Sequence, residues 1–89
     1  MKAAFVFQTA YLPAGLPAET YGEAVDYCRD GEIPFVPHAG MEIECGDGDF
    51  RTVQRVYYTC GTGALVVEFE DCDCNRSHQF MVDHGWRIE

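Results

Sequence analysis

At 89 residues the chain has room for one domain with a single modest hydrophobic core. Fifteen acidic against six basic side chains give a formal charge of -9, which removes the positive surface that nucleic acid or an anionic membrane would require. A hydrophobic content of 47% with 13% aromatics is that of a folded globule, and an odd count of five cysteines argues against a secreted disulfide framework, so a cytoplasmic protein with mostly reduced thiols is expected.

The apolar run Ala3 to Phe7 ends at Gln8. It is shorter than the roughly 7 to 15 residues of a signal-peptide core, and no stretch nears the roughly 18 apolar residues of a membrane span. With Phe5, Val6 and Phe7 inside it, Lys2 to Gln8 reads as a strand buried on both faces, able to join a sheet as its fourth strand. Tyr11 to Pro17, with two prolines and Gly15, is a connecting loop.

Ala18 to Asp30 is the main helix candidate, because Tyr21, Ala24, Val25 and Cys28 fall on one apolar stripe and Gly31 follows as a stop. Its start is ambiguous between Pro17 at the first helical position and a Thr20/Glu23 capping box, and Gly22 interrupts the pattern. Ile33 to His38, with Pro34 and Pro37, reads as extended chain.

Met41 to Asp71 reads as three consecutive antiparallel strands. A two-residue turn at Asp47-Gly48 would pair Cys45 with Phe50, and one at Gly61-Thr62 would pair Cys60 with Gly63, with a three-residue loop 61–63 as the competitor. This register collects Met41, Ile43, Cys45, Phe50, Val56, Tyr58, Leu65, Val67 and Phe69 on a core face. The other face sets Glu44 opposite Arg51 and Glu68 opposite Arg55, and carries an apolar strip of Val53, Tyr57 and Val66. Beyond Asp73, either Ser77 caps a short helix through Asp83, closed by Gly85, or a last hairpin spans 79–88; the helix is preferred.

Cys72, Cys74 and His78 form the one cluster with metal-ligand chemistry, although its spacing is not that of a zinc knuckle and a fourth ligand is missing. In the expected register Cys45 and Cys72 lie on opposite faces and do not meet. His38, His78 and His84 show no metalloprotease spacing, and paired carboxylates facing arginines are poor general acids at neutral pH, so no enzyme, cofactor or catalytic residue is expected. Asp47, Asp49, Asp71 and Asp73 cluster towards one end of the sheet as a candidate docking patch for a basic protein partner.

The run PFVPHAGMEIECGDGDFRTVQRVYYTCGTGALVVEFE resembles a pattern of small uncharacterised proteins of bacteria and their phages, in which a proline-bounded lead and a glycine precede short SH3-like strands. The resemblance implies a compact barrel or curled sheet and a non-enzymatic module, and carries over no functional residue. The expectation from sequence is therefore an α+β domain, a twisted antiparallel sheet of 41–71 plus the N-terminal strand with one packed helix over 18–30; the alternative is an SH3-like small β-barrel. The expected function is a small acidic interaction or inhibitory module, phage or mobile-element encoded, with homodimerisation through the apolar strip open; the alternative is a metal-stabilised or redox-sensing module using Cys72, Cys74 and His78.

Overall fold

The structure, a computed structural model, describes residues 1–22, 24–72 and 75–89. The chain forms β1 (Lys2–Gln8), α1 (Ala18–Tyr21), β2 (Asp26–Glu32), β3 (Glu42–Glu44), β4 (Phe50–Thr59), β5 (Ala64–Phe69), α2 (His78–Asp83) and β6 (Arg87–Ile88). The strands build one sheet in the order β3-β4-β5-β1-β2-β6, curled into a half-barrel. This open, mostly β architecture takes the place of both the expected sheet with a packed helix and the small barrel.

β1 occupies the middle. Ala3, Phe5 and Phe7 point into the core while Ala4 and Val6 are half-buried, so the strand alternates rather than being sealed on both faces. It pairs in parallel with β5, from Ala3 opposite Leu65 to Val6 opposite Glu68, and antiparallel with all of β2. That second ladder is what overturns the helix expected over 18–30. Only α1 is helical; Gly22 turns to a φ of +78°, and from Asp26 the chain is in register with β1, Lys2 opposite Glu32 and Gln8 opposite Asp26. Val25, Tyr27 and Cys28 are all buried here, so a stretch whose helix is interrupted by glycine gains more from long-range pairing with β1 than from a local helix, although β2 contains few strand formers. Glu23, the second half of the expected capping box, lies outside the described residues.

The antiparallel meander β3-β4-β5 is present, but its first register differs by one residue from the expected one. Ile43 faces Arg51 and Glu44 faces Phe50. The cause is the connection: Gly46 and Gly48 both adopt left-handed φ, and the Glu44 carboxylate accepts hydrogen bonds from their backbone N–H groups, so residues 45–49 form a longer loop instead of a two-residue turn. The second hairpin keeps the expected pairing, Thr59 opposite Ala64 through Arg55 opposite Glu68. A bulge then inserts Gln54, and Val53 pairs with Phe69.

Together these shifts exchange the faces of one half of β4. Val53 and Arg51 enter the core, at 1% and 6% exposure, while Phe50 is 70% exposed. Of the expected core face, Cys45, Leu65, Val67 and Phe69 are buried, Met41, Ile43 and Val56 are partly so, and Phe50 and Tyr58 lie outside.

The expected helix near the C-terminus forms as α2. Ser77 Oγ accepts from Phe80 N at 3.2 Å, and Gly85 ends the segment with a φ of +90°. Met81 and Trp86 then close over the concave face of the sheet, Trp86 meeting Phe7 edge-on at 5.0 Å between ring centres.

Candidate functional site

Two features dominate the concave side: a buried ion pair and, next to it, an open groove. The ion pair follows from the shifted register. Once Arg51 faces inward, its guanidinium needs a counter-charge, and Asp47 in the 45–49 loop supplies one, with Arg51 Nη2 2.9 Å from Asp47 Oδ2. Trp86 Nε1 donates to the same carboxylate at 3.2 Å, and Asp49 N donates to its other oxygen at 3.1 Å. The guanidinium carbon lies 4.6 Å from the Phe7 ring centre and 4.9 Å from that of Trp86, so aromatic faces replace water around the cation. Arg51 Nε is left without an acceptor among the described residues.

Burial by itself raises the pKa of the Asp47 carboxyl. The hydrogen bond and charge of Arg51, with the bonds from Asp49 N and Trp86, outweigh that and hold it below its ordinary value. Burial likewise works against the Arg51 charge, and Asp47 reverses the balance, keeping the guanidinium ionised. The pair therefore pins the 45–49 loop to the core as an ionised unit.

The groove lies where the curl of the sheet brings β2 and β3 towards each other, although three strands separate them in the sheet order. It encloses about 560 Å³. Phe5, Ile33 and Ile43 give it an apolar lining, Phe35 stands half-exposed beside it, and Glu32, Glu42 and Glu44 are its acids. Among the described residues Arg29 is its only basic side chain. That guanidinium is already committed: Arg29 Nε donates to His84 O at 2.8 Å, and the side chain passes so close to Gly85 and Gly46 that a Cβ there would come within 3.0 and 3.3 Å of it.

The structure describes three of the four aspartates expected to form a docking patch. Asp47 is buried as described, and Asp49 faces Arg76, Oδ2 to Nε at 3.3 Å. Asp71 is exposed, and Asp73 lies outside the described residues. Of the acids of the groove, only Glu44 was legible in sequence as a cross-strand partner for arginine. Of the two expected glutamate–arginine pairs, Glu68 does meet Arg55, at 3.0 Å, but Glu44 lies opposite Phe50 instead of Arg51.

Cys74 of the expected metal cluster lies outside the described residues. His78 Nδ1 shares a hydrogen bond of 2.8 Å with the hydroxyl of buried Tyr27, and Cys72 continues the β1/β5 pairing through a bridge to Thr9. Among the described residues no group of three or more His, Cys, Asp and Glu side chains is arranged to hold a metal ion. Cys72 packs against the same core as Cys45, so the opposite-face separation expected for them does not occur. Burial pushes the Cys45 thiol up to about 11. His38 is exposed, and His84 Nδ1 donates to Phe80 O at 2.8 Å within the last turn of α2. The expected apolar strip loses Val53 to the core, leaving Tyr57, with Arg55 stacked on its ring at 4.7 Å, beside half-buried Val66.

Among the described residues no helix is long and apolar enough to cross a membrane. No family model, no curated protein and no solved structure matches the chain, and these comparisons do not bear on the SH3-like resemblance.

Proposed function

We propose that the protein is a non-enzymatic acidic interaction or inhibitory module that docks a basic protein partner. The observation that carries this reading is the groove between β2 and β3, whose lining is apolar and whose acids are Glu42, Glu44, which holds the 45–49 loop, and Glu32, 3.4 Å from the N-terminal ammonium, against one arginine whose Nε is bonded to His84 O. The disposition of the other bases supports it. Arg51, Arg55, Arg76 and Arg87 each face a carboxylate of the chain, Asp47, Glu68, Asp49 and Asp30 in turn, so an approaching molecule meets the surplus of acid.

The test is affinity capture from cell extract on the wild-type protein and on the Glu32→Lys/Glu42→Lys variant in parallel, at low and high salt. Both glutamates are exposed, so the variant should keep its thermal midpoint. A basic protein retained by the wild type alone, and released by salt, is the expected result. Identical capture by the two proteins, or no salt-sensitive basic protein on either, overturns the reading.

A further inference from the structure

β3 is the last strand at its end of the sheet, and β6 covers β2 only at Tyr27 and Cys28. The backbone of Glu42–Glu44 on one side and of Arg29–Glu32 on the other therefore has no strand neighbour on its groove-facing edge among the described residues. These two open edges line one groove. Following the pairings round the sheet, β3 runs parallel to β1 and β2 runs opposite to it, so the edges are antiparallel to each other. A segment lying between them would pair parallel with one and antiparallel with the other.

Resting on the interaction-module reading above, we infer that the groove binds by strand addition: an extended segment of the partner, alternating basic and apolar residues, lies along the β3 edge and completes the curl. In an extended chain, successive side chains point to opposite faces. One set would reach the apolar lining of Phe5, Ile33 and Ile43, and the other would meet Glu42 and, in competition with the N-terminal ammonium 3.4 Å away, Glu32. Main-chain bonds to the open edge would supply affinity, and the alternation would supply selectivity.

Charge decides between the candidate occupants. Edges bearing acidic side chains resist pairing with a copy of themselves, and a chain with a formal charge of -9 adds a repulsion that a second copy would have to overcome. The same charge favours a basic strand. Glu44 is not counted among the recognising groups, because its carboxylate holds the N–H groups of Gly46 and Gly48. Its role is to shape the loop that ends the edge.

The probe is a short end-capped peptide alternating lysine and valine, titrated into the isotope-labelled full chain and followed by amide NMR and calorimetry. Its control has the same side chains and charge but alternate backbone amides methylated, which removes the donors needed for a ladder. Shifts across Glu42–Glu44 and Gly31–Ile33, new exchange protection on the β3 edge and at Glu32, whose N–H points away from β1, and affinity about tenfold or more weaker for the methylated peptide and for Glu42→Lys, are expected. Equal affinity for the two peptides overturns strand addition while leaving the acidic docking reading intact. Shifts confined to other surfaces, or none at all, overturn the inference too, and the capture experiment then judges the docking reading separately. Sedimentation of the chain alone is expected to show a monomer; a dimer dissociated by the peptide would make the occupant a second copy and overturn the assignment.

Discussion

Arg51 and Asp47 are four residues apart in sequence and form an ion pair at 2.9 Å with side-chain exposures of 5% and 0%. Breaking one member of such a pair leaves a buried charge without compensation. Asp47→Asn is expected to cost about 3 to 5 kcal/mol, read by urea unfolding. Adding Arg51→Met should recover part of that loss, because it removes the buried cation left without a counter-charge, while the amide oxygen can still accept from Trp86 Nε1. Simple additivity of the two changes would contradict the pairing.

The same carboxyl predicts an acid limb. Its folded pKa lies below the ordinary 3.8, so its stabilising contribution is complete above that value, declines as pH falls below it, and is gone once pH passes the folded value. Thermal midpoints measured from neutral to strongly acidic pH should fall less steeply in Asp47→Asn. An unchanged slope would mean that other carboxylates dominate the transition.

Cys45 acts at the opposite end of the scale. The unfolded thiol ionises near 9.0 and the folded one at about 11, so the contribution of the neutral buried thiol is full below 9.0 and is lost as pH rises towards 11. Alkylation at mildly alkaline pH, mapped by peptide mass spectrometry, should modify exposed Cys60 quickly and reach Cys28 and Cys45 only when denaturant is added. Rapid labelling of Cys45 in the native protein would contradict the closed loop.

Two substitutions separate the observed register from the one expected without the bulge. Val53→Ala removes a side chain that is 1% exposed and should cost about 2 kcal/mol, whereas Phe50→Ala removes one that is 70% exposed and should change stability by less than about 0.5 kcal/mol. Chemical denaturation of both variants decides the matter. The reverse ranking would restore Phe50 to the core and abolish the bulge.

Gly85 combines a φ of +90° with the close passage of Arg29, whose Nε would sit 3.0 Å from an added Cβ. Gly85→Ala should therefore destabilise by more than about 1 kcal/mol. It should also loosen the Arg29 bond to His84 O, seen as faster exchange of the Arg29 side-chain N–H. A neutral effect on both would mean that the turn tolerates a side chain.

Much of the local structure was legible in the sequence because its causes are local. The Ser77 cap and Gly85 stop of α2, the pairing of the second hairpin and the apolar alternation of β5 each rest on residues near one another in the chain. What misled was also local. Tyr21, Ala24, Val25 and Cys28 have helical spacing, but seven residues of pairing with β1 draw the stretch from Asp26 onward into a strand. The Asp47-Gly48 dipeptide suits a tight turn, yet Glu44 reaches forward to Gly46 and Gly48 and enlarges the loop.

The sequence by itself determined the acidic balance of the chain, its antiparallel meander and the helix capped by Ser77, since composition, turn dipeptides and caps are read over a few residues. Only the tertiary structure decided that the stretch after Gly22 becomes β2, that the bulge at Gln54 sends Arg51 inward to Asp47, and that the edges of β2 and β3 line a common acidic groove. The reason is physical. Strand pairing, face exchange across a bulge and the meeting of two sheet edges depend on contacts between segments far apart in the chain, and a one-residue shift in any of them changes which side chains are buried.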